Sequence, residues 1–256
     1  MPYDTLLQLE SVSKSFGGLQ AVRDLSFDVR AGTITSLIGG YGAGKTTAVN
    51  LITGKLVLDA GHIHFCGARI DGLPPHKVAR AGIARGFQEL RLFNRLSTSD
   101  NVETAIPDQR GEGIIRALIG GRRLKDERKT TQARAGALLR ELTLETEAGS
   151  LAERLSYGQQ KLLSLGRLLA VEGGLFLLDE PTSGLSPGMV DEFCARVRHL
   201  TQAGKTILMI EHSVEIVMRL SDWVVVMHQG SKIAEGRPED VRNNVTVMHT
   251  YLGIAS

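Results

Sequence analysis

The stretch IGGYGAGKTT, residues 38–47, places Gly39, Gly44, Lys45 and Thr46 in the spacing G-x-x-x-x-G-K-[ST]. Physical reasons tie these residue types to phosphate chemistry. Glycine at 39, 42 and 44 lets successive backbone N–H groups turn inward and face an anion with no Cβ in the way. Lys45 can reach the β- and γ-phosphates of a nucleotide, and the Thr46 hydroxyl suits Mg²⁺. Gly40, Tyr41, Gly42 and Ala43 fill the variable positions, and Thr47 follows. A glycine linker matching by chance is the alternative, and the neighbouring elements arbitrate. TITSLI (33–38) reads as a short apolar strand, and KTTAVNLITG (45–54) as a helix with a glycine stop at Gly54. That helix would turn its positive N-terminal end toward the loop. Strand, glycine loop and helix favour the phosphate cradle.

LFLLDEP (175–181) supplies a second half. Four apolar residues before Asp179 describe a buried strand ending in a carboxylate, which can hold Mg²⁺ through its water shell. Glu180 beside it is the candidate to polarise an attacking water. An acidic strand-to-loop turn would look the same in isolation; the phosphate loop makes the catalytic reading the stronger one. In LSYGQQ (155–160), Ser156 is placed to cap a helix and Gly158 frees the backbone. Taken alone, it is a helix start.

Positioning these groups requires a sheet. LLQLESV and AVRDLSFDV alternate apolar with polar around Gly17-Gly18 and read as paired strands, and GHIHFCGARI as a hairpin. From about residue 89 to 166 strand-like runs give way to helix-like segments with charged faces. VARAGIARGF, the run from GIIRAL to RELTL, and YGQQKLLSLGRLLAVE all read as helical. LFLLDE, TILMIEH (206–212) and WVVVMHQG (223–230) bring strands back, alternating with a helix over 187–203. Short buried strands alternating with helices imply a parallel, doubly covered sheet. The tail reads as a helix begun at Pro238 and a short second helix.

The bulk numbers allow this. A chain of 256 residues with 42% hydrophobic content can bury a sizeable core. Thirty basic against 28 acidic residues give a net charge of +2, too balanced to advertise nucleic-acid binding. The cluster GGRRLKDERK (120–129) interleaves Asp126 and Glu127 and lacks aromatics, so it reads as a solvated helical face, with a minor share for membrane-surface proximity. Cys66 and Cys194 show no CxxC spacing, so disulfides and zinc are not expected and a reducing cytosol fits. The N-terminus lacks the pattern of a secretion signal, and no apolar run approaches the ~20 residues of a membrane span.

With these residues placed, the chain resembles the ATP-binding subunits of ABC transporters, from its first strands to about residue 236. The resemblance implies an α/β P-loop NTPase (RecA-like) core with a mixed parallel sheet, an N-terminal antiparallel β subdomain and an inserted α-helical subdomain. It implies one ABC ATPase domain over 1–256, with a core lobe of 1–88 and 167–256 and a helical lobe of 89–166. ATP and Mg²⁺ are the expected cofactors. Leu155, Ser156, Gly158 and Gln159 match the signature segment that binds the γ-phosphate of ATP held by the other subunit of a dimer, with Tyr157 replacing a glycine. Phe16 matches the aromatic that stacks on adenine; a place in the hairpin core is its alternative. Gln88 matches the glutamine that senses Mg²⁺ and the attacking water. His212, in MIEHS, matches the switch histidine on the γ-phosphate. Ser183, Gly184, Leu185 and Ser186 occupy the next loop, where the family usually ends in Asp. The family usually has Pro-Asn where Gly40-Tyr41 stands.

GFQELRLFNRLSTSDNV, IEHSVEIVMRLSD and GRPEDVRNN resemble the versions found in branched-chain amino acid importers. This implies a peripheral protein at the cytoplasmic face of the inner or plasma membrane. Its partners would be a second ATPase subunit, integral membrane permease subunits and, indirectly, a solute-binding protein, with no nucleic acid. Relatives in urea or amide import and in lipopolysaccharide export are the nearest alternatives for cargo. A non-transport ABC ATPase of DNA repair or translation would usually carry coiled-coil insertions or tandem cassettes. A non-hydrolysing regulator would not need Lys45, Asp179, Glu180 and His212 together.

Overall fold

The computed structural model describes residues 4–86, 90–107 and 121–250. Alternating sequence at the N-terminus yields the expected hairpin. β1 (Thr5–Phe16) pairs antiparallel with β2 (Leu19–Arg30), from Thr5 opposite Arg30 to Phe16 opposite Leu19. A second sheet is built around β3 (Ile34–Gly39), the strand that feeds the glycine loop and α1 (Lys45–Ile52). β4 (Ala60–Phe65) joins the free edge of β1, and β5 (Ala68–Arg69) completes that four-stranded antiparallel sheet.

The larger sheet adds β6 (Ile83–Arg85), β7 (Leu175–Asp179), β8 (Thr206–Ile210), β9 (Trp223–His228) and β10 (Ser231–Gly236). Its order is β10-β9-β3-β8-β7-β6; all neighbours run parallel except β10, which lies antiparallel on β9. The sheet is therefore mixed, as the family resemblance implied. Period-2 alternation decides which side chain faces where. Leu37, Val225 and Met227 pack with Val49 and Ile52 of α1 and with Leu7, Phe27 and Ile63 of the antiparallel sheet. Ile38, Val224 and Val226 face the opposite way, onto Val217, Val241 and Val247. Burying both faces is what a parallel sheet requires, and each such aliphatic side chain contributes about 1.5–3 kcal/mol. The result is a stiff platform whose strand ends, Gly39, Asp179 and Ile210, carry or adjoin the candidate chemistry.

One reading needs correction. VARAGIARGF is not a continuous helix: α2 (Pro75–Ala81) stops at Gly82, which takes φ 111°, and Ile83–Arg85 becomes β6 beside β7. The run ends at Phe87, and it, Gln88 and Glu89 lie outside the described residues, as does most of GIIRALIGG.

The chain divides into two compact units, one of residues 1–85, 173–183 and 197–256, the other of 86–172 and 184–196. Both sheets belong to the first. The second is helical, with α3 (Thr98–Glu103), α4 (Gly121–Glu141) and α5 (Tyr157–Leu169); α6 (Pro187–Gln202) runs through the division at 196/197. In the second unit Asn101 is fully buried and its amide nitrogen donates to the carbonyls of Phe93 and Ser97, both at 3.0 Å, which fixes the chain entering α3. The first unit ends in α7 (Val214–Leu220), α8 (Pro238–Arg242) and α9 (Val245–Thr250), the last two being the helices expected in the tail.

Candidate nucleotide site

β3 delivers the chain at Gly39, and α1 takes it up at Lys45 with Gly44 as its N-cap and no side chain capping it. The first amides of a helix have no intrahelical acceptor, so this end is free to receive an anion. Two glycines are obligatory. A Cβ at Gly39 would stand 2.2 Å from the Met227 carbonyl oxygen, and one at Gly44, where φ is 97°, 2.3 Å from that of Ala21. Gly40 and Gly42 differ: a Cβ there would meet nothing within 4 Å, so this part of the loop faces open space. Gly44→Ala should therefore lower folding stability by about 1–3 kcal/mol through backbone strain alone, with the clash in addition. Urea unfolding checks it; an unchanged midpoint would show that the backbone there can relax.

Lys45 is buried, and its Nζ donates to the carbonyls of Gly39 at 2.7 Å and Gly40 at 2.9 Å. Burial pulls its pKa below the usual lysine range, while the charges of Glu180 and Asp179 push it back up. A desolvated ammonium beneath an open loop and an uncapped helix end fits a phosphate chain. Ala43 is buried and accepts from the Gly230 amide at 3.1 Å, anchoring the loop, while Thr46 is exposed and Thr47 half-buried.

The parallel register places Asp179 opposite Ile210, so the segments leaving β7 and β8 are neighbours. Glu180 takes a left-handed φ of 47°, rare for a side chain of its kind, and donates its amide to the Ile210 carbonyl at 2.9 Å. His212 Nε2 lies 2.9 Å from Glu180 Oε1. The Tyr41 ring stacks on the same imidazole, centroids 5.1 Å apart and planes 20° from parallel. The structure thus brings Tyr41, Lys45, Asp179, Glu180 and His212 into one constellation within the first unit.

Two members were not expected from sequence. Arg85 donates from Nη2 to Asp179 Oδ2 at 3.0 Å and from Nη1 to Asn50 Oδ1 at 2.6 Å, tying β6 to β7 and α1. Glu211 is buried, and its carboxylate accepts from the amide and hydroxyl of Thr182 and from the His212 amide at 3.1 Å. A carboxylate closing the apolar run TILMIE was the visible signal for Glu211; Arg85 had none, because β6 went unrecognised.

Phe16, at the end of β1, is 46% exposed, with Lys14 Nζ 5.7 Å from its ring, so it is a surface aromatic and not a hairpin core residue. In the second unit Ser156 caps α5 by accepting from the Gln159 amide at 3.3 Å, and Gln159 Oε1 accepts from the Ser156 amide at 2.9 Å, a capping box. Gly158 is buried against Met189, where a Cβ would meet the methionine Cε at 2.3 Å. Tyr157 is exposed and lies against Gly184.

A glycine loop joining a central parallel strand to a helix, with a buried lysine and carboxylates at the next strand ends, defines a P-loop nucleotide-binding core. The profile of the family described as "ABC transporter" matches residues 22–183. The chain belongs to this family, whose cassettes bind ATP with Mg²⁺ and hydrolyse it. It is 35% identical over 251 residues to the high-affinity branched-chain amino acid transport ATP-binding protein BraF of Pseudomonas aeruginosa, covering 98% of each. It is 37% identical over 248 residues to the probable branched-chain amino acid transport ATP-binding protein LivG of Archaeoglobus fulgidus, covering 97% of this chain and 95% of that one. Among solved structures, an ATP-binding cassette of an ABC transporter in its ADP conformation superposes with a TM-score of 0.85 at 31% identity, covering 98% of this chain and 99% of that one.

Proposed function

We propose that this chain is the ATP-hydrolysing subunit of an importer of branched-chain or related amino acids, working at the cytoplasmic face of the membrane as a peripheral protein. Supporting the cargo are the full-length relatives, whose names state branched-chain amino acid transport. The chemistry rests on one observation above others: the 2.9 Å contact of His212 with Glu180 in the same constellation as Lys45. No helix among the described residues is long and apolar enough to cross a membrane; in this reading permease subunits supply the path.

In this reading the loop 39–47 and Lys45 hold the phosphates, and Phe16 offers its exposed ring to adenine. Glu180 accepts the proton of the water that attacks the γ-phosphorus, and the bond to the ADP oxygen breaks as phosphate leaves. His212 holds the γ-phosphate and orients Glu180. Thr46, Gln88 and Asp179 are the residues that would hold Mg²⁺, which supplies positive charge against the charge developing on the transferred group. Arg85 fixes the direction of the Asp179 carboxylate. Ser156, Gly158 and Gln159 serve the ATP of a second ATPase subunit closing head to tail. The whole chain acts as one domain, with a core lobe and a helical lobe, 89–166, facing the permease; a solute-binding protein delivers the cargo outside.

Purification of the chain from native membranes tests the reading. Co-purification with integral membrane subunits, and ATP hydrolysis stimulated by a branched-chain amino acid with its binding protein, is the expected result. Stimulation by urea or an amide alone would move the cargo; purification without any membrane protein would overturn the transport assignment.

A further inference from the structure

Tyr41 is oversized for its place. It stands between Gly40 and Gly42, the open part of the loop, and it is 95% exposed. Yet its ring has a defined neighbour, the His212 imidazole, stacked at 5.1 Å and 20°. The same imidazole is met at its edge by Glu180 Oε1, 2.9 Å from Nε2. The His212 backbone amide is held by the buried Glu211 carboxylate at 3.1 Å. Backbone, ring edge and ring face of His212 are thus each engaged by a different side chain.

The ring face is the part that Glu211 and Glu180 leave least determined. Rotation of a histidine ring about its last torsion is soft and roughly two-fold, and this rotation decides whether Nε2 or the Cε1 carbon meets Glu180. A stacked ring resists it, and near-parallel aromatic pairs with centroids 4.5–7 Å apart are attractive beyond their contact area. We infer that Tyr41 is a positioning residue for hydrolysis, which by stacking on His212 holds the imidazole edge on Glu180 and ties the phosphate loop to that pair. The inference rests on reading Glu180 as the base and His212 as its partner. It concerns the ring face and not the phenol hydroxyl, so phenylalanine should replace tyrosine and asparagine should not.

Two measurements decide it. In the nucleotide-free protein with isotope-labelled histidine, the His212 ring resonance, assigned by its loss in His212→Ala, should carry a ring-current displacement that Tyr41→Phe keeps and Tyr41→Asn removes. In steady-state assays Tyr41→Asn should lower kcat about three- to tenfold with the KM for ATP within about twofold, and Tyr41→Phe should match the wild type. A displacement that persists in Tyr41→Asn overturns the stack. A kcat loss equal in both variants, or a change confined to KM, overturns the positioning role. Failure of the underlying reading has a separate signature: Glu180→Gln would retain turnover, while the resonance arm still reports whether the stack exists.

Discussion

Glu180→Gln should lower ATP turnover by about 10²–10⁴-fold while leaving ATP affinity nearly unchanged, the range over which a positioned general base contributes. Glutamine keeps the volume, the backbone preference and an acceptor oxygen for His212 Nε2, now 2.9 Å from Glu180 Oε1. What disappears is the ability to take a proton from water. The left-handed backbone at Glu180, with φ 47°, makes the swap cleaner than alanine, because a residue already strained there is replaced by one of the same shape. Phosphate release together with equilibrium ATP binding measures both halves. Unchanged turnover would remove Glu180 from its role; lost binding would mean that the substitution had disturbed the loop.

Lys45→Ala should act on the other half, weakening ATP binding by roughly 10–100-fold, the equivalent of one charged hydrogen bond lost. Its effect on folding should be small. Burial already disfavours the Lys45 ammonium, as its lowered pKa records, so removing the charge also removes a desolvation penalty. Against this stands the loss of its bonds to the carbonyls of Gly39, which is buried, and Gly40, which is exposed. ATP titration and thermal melting of the same variant separate the two effects. Retained affinity would show that the loop amides alone hold the phosphates.

Local signals made much of this visible in the sequence. The unit from β3 through the loop to α1 is written in consecutive residues, as are the first hairpin and the Ser156–Gln159 capping box. The aliphatic runs of β7, β8 and β9 announce strands buried on both faces. What stayed hidden depends on distant partners. Ile83–Arg85 is too short to declare itself, and only β7, about ninety residues later, makes it a strand. β10 escaped because it is an edge strand in which Lys232 and Glu235 break the apolar pattern. The bonds of Arg85 to Asp179 and of Glu211 to Thr182 join residues 94 and 29 positions apart, and no spacing rule predicts such pairs. The identities of Tyr41 and His212 were plain from sequence; their stacking was not.

The Glu211 carboxylate has a consequence for how this end of the sheet loosens. One of its oxygens holds Thr182, in the turn after β7, and the other holds the His212 amide after β8. Release of either turn leaves one of the buried Glu211 oxygens without a donor, which costs free energy in a dry interior. The two turns are therefore coupled in local unfolding, because opening one weakens the hold on the other. A disturbance arriving along the turn that begins at Pro181 reaches His212 through a single side chain, with no need for β7 and β8 to shift.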